Sequence, residues 1–435
     1  MENNLNTLIW FRNDLRITDH EALFTAEKLK HNVLLTYIID PREYEITPLG
    51  FPKTGEIRKQ FIAESVIDLQ NSLRTIGLEL QIYNGKPEDV IPEIAAKYQI
   101  KTVFTHTENA WNEQQIENKL QQKLATQNVS LQLFHGATLL HPQDLPFEIY
   151  DLPDIFTNFR KLVEKKFFVR ETFKKPKQIK GIITESFSKE AVHQLFSTTQ
   201  PSIDSRAVLQ FVGGESEAHK RVEKYFWKQD LLQAYKETRN GLIGADYSSK
   251  FSPWLAIGAI SPRTIYEEVK KYEAERVSNQ STYWLVFELL WRDYFQFVMM
   301  KFGKKLFLKY GIRGIKTDKK RSNYMRAFEK WVNGNSGNSF IDANMLELKL
   351  TGFMSNRGRQ NVASYLLNDL HIDWRMGAQY FESQLIDYDV CSNWGNWAYI
   401  AGVGNDPREN RYFNIQKQAE MYDAQGLYQS LWLEF

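Results

Sequence analysis

The chain has 435 residues, a formal net charge of +2 and a single cysteine, Cys391. That length points to two domains, and one thiol excludes an intrachain disulfide or a multi-cysteine zinc site. No run of about 18 apolar residues is present to cross a bilayer, and the apolar run in MENNLNTLIWFRNDLR is far shorter than a signal peptide's, so a cytoplasmic protein is expected.

Over residues 1–135 short apolar runs, TLIWF, VLLTYII, ELQIY, KTVFT and VSLQLF, alternate with amphipathic stretches such as 57–76. This is the pattern of a parallel α/β sheet. No G-x-G-x-x-G follows the first strand, so a dinucleotide site is not indicated there. Residues 136–205 contain HPQDLP, DLPD, KKPKQIK and TTQPS without a sustained period, as expected of a connector. Over 206–435 strand signals vanish. Helical patterns follow at 218–239, 262–275, 282–302, 324–332, 356–370 and 375–385, and eight of the eleven tryptophans lie between Trp254 and Trp432. An all-helical second domain is expected.

Arg160 to Lys180 holds nine Lys/Arg against Glu164 and Glu171, and Lys301 to Arg326 holds ten against Asp318. Solvated faces and nucleic-acid contact are both open readings of such runs.

Three segments concentrate chemistry. In STYWLVFELLWRDYFQF, helical spacing puts Trp284, Glu288, Trp291 and Phe295 on one stripe. Either Glu288 pairs with Arg292 one turn on, or the stripe walls a pocket in which a flat ligand stacks on tryptophan and a carboxylate reads its polar edge. In TGFMSNRGRQNVASYLLNDL, Gly352 suits a helix C-cap and Ser355 an N-cap, so Asn356, Arg359, Gln360 and Ala363 share a face of the next helix. The glycine-punctuated stretch LIDYDVCSNWGNWAYIAGVGND, where extended helix is not expected, carries Asp387, Asp389, Asn393, Trp394, Trp397 and Tyr399. Its aspartates have no cysteine or histidine beside them, and the histidines lack H-x-x-x-H spacing, so no metal site is expected. Upstream, GADYSSKFSPW offers hydroxyls and a lysine before a helix that Ser252 would cap with Pro253 first, a setting in which a diphosphate can be cradled.

These segments, with LIWFRNDLRITDH, LPDIFTNFRKLVE, YKETRNGLIGADYSSKFSPWLAIGAISPR and FELLWRDYF, stand in an order that resembles the photolyase/cryptochrome superfamily, within it the cryptochrome DASH branch. The resemblance spans almost the whole chain. It implies an α/β N-terminal parallel-sheet (Rossmann-like) domain plus an all-α C-terminal FAD-binding domain. It further implies FAD as cofactor and a methenyltetrahydrofolate antenna contacted by Glu108 of HTENAWNEQQ.

Carried over by the resemblance, Tyr235 and Ser248, Ser249, Lys250, Phe251 and Ser252 contact the diphosphate and ribityl chain together with Arg292. Asp387 and Asp389 serve the ribityl chain and ring edge, Arg359 pairs with Asp387, and Asn393 faces flavin N5. Glu288 and Asn356 match groups that hydrogen-bond a pyrimidine dimer, Trp291 a stacking platform, and Gln360 and Tyr399 the DASH choices beside it. The implied activity is light-driven, FAD-dependent repair of cyclobutane pyrimidine dimers, preferentially in single-stranded DNA, by a monomer. Trp397 and Trp374 begin the aromatic chain that refills the flavin.

One departure stands out. Arg321 occupies the place of the third relay tryptophan, ten residues before Trp331, and nearby Ser339 and Leu346 replace the usual proline and arginine. The alternative function is a blue-light photoreceptor that binds FAD and DNA without repair, which the lack of a long tail after Phe435 weakly disfavours. A dark flavoprotein is a third class.

Overall fold

The computed structural model describes residues 5–183, 192, 201–314, 325–406, 408 and 411–433. The five apolar runs of the N-terminal part form strands β1 (Asn6–Phe11), β2 (Asn32–Ile39), β3 (Leu80–Asn84), β4 (Thr102–His106) and β5 (Ser130–Phe134) of one parallel sheet. Helices α1 (Glu21–Lys28), α2 (Glu56–Arg74), α3 (Pro87–Lys97) and α4 (Trp111–Thr126) connect them in order. Side chains alternate across each strand. Leu8 and Trp10 of β1 pack with Ile91 and Ile94 of α3 and Leu120 and Leu124 of α4, whereas Ile9 and Phe11 join a cluster that takes in α1 and α2 and continues into the helical half. Both faces are covered, which is why the strands read as nearly unbroken apolar runs.

The strand order is β3-β2-β1-β4-β5. The chain therefore reverses direction of growth at β1, and the crevice beyond the carboxyl ends of β1 and β4 is the topological switch point, where open α/β sheets take their ligands. Asn13 and Glu108 meet there.

Beyond the sheet the chain turns helical. A short strand β6 (Lys180–Gly181) adds to β2, and α5 (Phe156–Glu164) forms in a region where the sequence reading saw no period. Its buried Phe156, Phe159 and Val163 make a stripe too short to stand out, and Phe156 stacks on Trp291 at 3.6 Å. The remaining helices are α6 (Glu215–Val222), α7 (Tyr235–Thr238), α8 (Ser252–Ala256), α9 (Pro262–Glu275), α10 (Gln280–Phe302), α11 (Met325–Val332), α12 (Ser339–Thr351), α13 (Asn356–Asn368), α14 (Trp374–Gln384), α15 (Val390–Ile400), α16 (Ile415–Tyr422) and α17 (Leu427–Leu433).

Four expectations are corrected. The single helix over 218–239 is broken: α6 runs into a π turn at Glu223–Lys228, and Asp230 then takes φ +55°, held by the Tyr272 hydroxyl donating to its carboxylate at 2.5 Å. The cap of α8 falls on Phe251, so Ser252 is its first residue and Pro253 its second. Helix α12 carries no stripe in the sequence because it is buried nearly all round, with Asp342, Asn344, Glu347 and Thr351 among its buried residues. Finally, the glycine-punctuated stretch does form a helix, α15, capped by Asp389. Gly395 sits inside it because a side chain there would run into the ring of Phe295, 2.4 Å from an added Cβ. Ser355 and Gly352 cap as expected, Gly352 at φ +70°.

Candidate functional site

Helices α7, α10, α13 and α15 and the loop entering α8 enclose a cleft of about 440 Å³. It shares Asn356, Arg359, Gln360 and Asp387 with an inner chamber of about 100 Å³. The α10 stripe supplies Glu288, Trp291 and Phe295 to the cleft, with Arg292 beside them, as helical spacing requires. The first turn of α13 supplies Asn356, Arg359 and Gln360. Tyr235 and the five residues Ser248 to Ser252 line the opposite wall. Asp389, Asn393 and Trp397 line the chamber, and Tyr399 the cleft. Of the residues the resemblance assigns to cofactor, substrate and electron transfer, only Trp374 and Glu108 lie outside these two spaces, as does Trp284 of the α10 stripe.

Polar contacts differ along the cleft. Burial pushes the Glu288 carboxyl up, against the opposing pull of Arg239, whose guanidinium donates to Glu288 at 2.5 Å. The pairing with Arg292 is therefore replaced by one across 49 residues of sequence. Arg292 instead donates to the carbonyls of Ala137 and Leu255 and ties the connector to the helical half. Trp291 is backed by Phe156 and meets Tyr399 edge-on at 5.8 Å. Arg357 donates to Gln360 at 3.0 Å and to Asn240 at 3.2 Å, which orients the Gln360 amide.

Around the inner chamber, Arg359 donates to Asp387 Oδ2 at 2.8 Å, while Asp387 Oδ1 is buried with no hydrogen-bond partner. Asn393 donates to the Ala378 carbonyl at 3.0 Å, fixing its amide. Asp389 accepts from Ser392 N at 2.7 Å and from Gln296 Nε2 at 3.0 Å. Gln296 in turn accepts from Asn109 of the β4–α4 loop at 2.9 Å. A buried chain of side chains thus links the sheet domain to the cap of α15.

Behind the chamber, Trp397 packs edge-on against Phe381 and Trp331 at 5.1 and 6.4 Å. Trp374 is fully buried, donates to the Lys309 carbonyl and meets Trp394 edge-on at 5.7 Å. Arg321 and Tyr324 lie outside the described residues.

Glu108 sits at the switch point, where it accepts from Asn13 N and Nδ2 at 3.3 and 3.0 Å, and burial raises its carboxyl. Nearby, Asp14 Oδ2 accepts from both His20 and His106, at 3.0 and 2.6 Å. His20 Nδ1 also caps α1 by accepting from Leu23 N. This hydrogen bonding accounts for a trio whose composition alone would suit a metal ion. Within the basic runs, Arg160, Arg170 and Lys301 are engaged with Tyr283, Asp144 and Asp154.

Sequence reasoning missed Arg239, Tyr247, Gln296, Ser392, Asn396 and Arg411. Once α15 is recognised, the spacing of Ser392, Asn393, Asn396 and Trp397 shows one face; the others carry no local signal.

Residues 284–434 match the family model for the FAD binding domain of DNA photolyase, and residues 7–180 that for DNA photolyase. A cryptochrome DASH of Synechocystis is 52% identical over 427 residues, covering 98% of this chain and 87% of that protein. The chain belongs to the cryptochrome DASH group of the photolyase family. The crystal structure of a Synechocystis cryptochrome superposes with a TM-score of 0.94 at 50% identity, over all of this chain and 90% of that one. A class III photolyase from Agrobacterium tumefaciens gives 0.84 at 25% identity, over 99% and 87%.

As a cryptochrome DASH the protein binds FAD in its helical half. The cleft fits that ligand: apolar rings stand beside an unpartnered buried carboxylate oxygen, a guanidinium and a buried amine, the mixture a flat cofactor with polar edges requires. Among the described residues no helix is long and apolar enough to cross a membrane.

Proposed function

We propose that this cryptochrome DASH repairs cyclobutane pyrimidine dimers in DNA under blue light, with a preference for single strands. The observation that carries the reading is that one cleft combines Glu288, Asn356 and Gln360, which can hydrogen-bond a base edge, with the rings of Trp291 and Tyr399 and with the Asp387–Arg359 pair. Ser248 to Ser252, Tyr235 and Arg292 would hold the diphosphate and ribityl chain. Asp387, Asp389 and Asn393 would face the ring system. When bound in its reduced form, FAD would supply light-driven one-electron chemistry to a neighbouring acceptor.

The chain's own residues do the rest. A base reaches the cleft only when flipped out, which costs least in a single strand. Trp291, held rigid by Phe156, offers one ring to it. Glu288, kept near Arg239 and with its carboxyl pushed up by burial, hydrogen-bonds one base edge, and the Asn356 amide donates to the neighbouring edge, where negative charge develops on the dimer. Asn393, with its amide fixed, would set the redox state of the ring that persists in air. Trp397 would pass electrons inward from Trp374. Glu108, at the switch point, would contact a methenyltetrahydrofolate antenna. The protein would act as a cytoplasmic monomer.

The deciding measurement is loss of thymine dimers from single- and double-stranded oligonucleotides under blue light, with a dark control. Light-dependent loss several-fold faster on single strands supports the reading. Tight FAD binding with no loss on either substrate would make the protein a photoreceptor instead.

A further inference from the structure

Lys250 is an unusual residue in the cleft wall. It is 3% exposed and takes φ +55°, a conformation that a side chain other than glycine adopts at a cost. Its Nζ lies 3.1 Å from the centre of the Tyr247 ring and 3.4 Å from Ser248 Oγ. Among the described residues no carboxylate stands within ion-pair distance of it. The Tyr247 ring face and one hydroxyl replace only part of an ammonium's hydration, no counter-ion stands beside it among the described residues, and burial disfavours that charge.

The charged groups around it do not repair this. From α6, Arg221 donates to the carbonyls of Ala245, Ser248 and Ser249 and to Asp246, so it shapes the loop while adding positive charge, and Asp246 is engaged with it. From α12, Glu347 accepts from the Tyr428 hydroxyl at 2.6 Å, and burial pushes its own carboxyl up to about 7. From α13, Arg359 is a second cation, paired with Asp387. The Lys250 amine is accordingly pushed down to about 6, chiefly by burial and then by Arg221.

We propose that Lys250 makes the cleft select a diphosphate-bearing flavin by binding the anion together with a proton: the amine is uncharged while it faces only protein and becomes an ammonium, drawing its proton from solvent, as the diphosphate arrives. The inference rests on the reading that Ser248 to Ser252 face the diphosphate. The sign follows from linkage. An amine with a low proton affinity in the free protein and a high one in the complex takes up a proton on binding, so affinity falls as pH rises through the interval between the two.

The test is FAD affinity of the full chain from about pH 6 to about pH 9, followed by flavin fluorescence, with proton uptake counted by calorimetry in buffers of different ionisation enthalpy. Affinity should fall by about tenfold per pH unit between about pH 7 and about pH 9, with close to one proton taken up per FAD. Lys250→Arg, whose charge is permanent, should bind FAD with little pH dependence, and riboflavin, which lacks phosphate, should bind the natural protein without it. A flat profile in the natural protein together with weak FAD binding by Lys250→Met would overturn the proton coupling and leave the diphosphate contact standing. Unchanged FAD affinity in Lys250→Met at every pH would remove both. A riboflavin affinity that falls with pH as steeply as that of FAD would assign the titration to another group and overturn the inference.

Discussion

The helical cleft and the switch-point crevice both hold a carboxylate that the sequence marks for a cofactor, yet the two carboxylates are matched differently. At the crevice Glu108 already accepts two hydrogen bonds from Asn13, and Arg12 beside it is engaged with Glu117. In the cleft Asp387 keeps a buried oxygen without a partner, and Lys250 a buried amine that has no counter-ion among the described residues. A buried polar group left unmatched by the protein costs of order 1–3 kcal/mol, a cost that a ligand bound in the cleft would remove. Glu108 Oε1 is instead matched from within the protein, by Asn13 of the β1–α1 loop. The contrast supports placing FAD in the cleft and leaves the antenna site to experiment.

The largest effect expected from this contrast is on Asp387. Asp387→Ala strips the ligand-facing oxygen and leaves Arg359 without its partner, so FAD retention should drop by about a hundredfold or more, as expected when one member of a buried charged pair is removed. Equilibrium dialysis against free flavin measures it, and near-natural retention would break the contrast. Next comes Glu288→Ala, which should lower dimer repair by roughly tenfold to a hundredfold, the worth of one hydrogen bond to a charged group, while flavin content holds. Should flavin be lost instead, Glu288 belongs to the cofactor wall and not to the base-reading one.

A smaller change is expected from Asn393→Asp. It should alter the rate of air oxidation of the reduced flavin several-fold, read from the absorption spectrum, and indistinguishable rates would move the N5-facing role elsewhere. Glu108→Ala should abolish a near-ultraviolet band gained on reconstitution with methenyltetrahydrofolate. Its effect on stability should stay below ~1 kcal/mol, since only hydrogen bonds to an exposed asparagine are lost. Equal folate binding by both proteins would leave Glu108 as a loop anchor. The smallest effect is expected from Arg321→Trp: transient absorption should show longer-lived charge separation, with repair by already reduced protein little changed. Unaltered photoreduction there, with loss in Trp374→Phe, would point to an exit that bypasses position 321.

Much of this arrangement is legible in the sequence where the signal is local. The five strands stand out because both faces of the sheet are buried, and the α10 and α13 faces follow from helical spacing. What stays hidden is set by distant partners. Arg239 reaches Glu288 across the chain, and nothing in ETRNG announces it. Helix α15 hides behind Gly395, whose place is fixed by Phe295 of another helix. The break near Asp230 depends on Tyr272 of α9. In each case a tertiary contact overrides a local preference.

The chain of side chains from Asn109 through Gln296 to Asp389 has a consequence for modularity. The cap of the helix that carries Asn393 and Trp397 is held by an amide whose other end is held from the sheet domain. A chimaera that grafts a relative's first half onto this second half therefore inherits a working flavin helix only if it also brings an asparagine, or an equivalent donor, to the place of Asn109. The two halves are separate in architecture but joined by this chain together with contacts such as Arg263 to Asp19 and Ile17 N to Glu215, and recombination between family members is constrained at these joints.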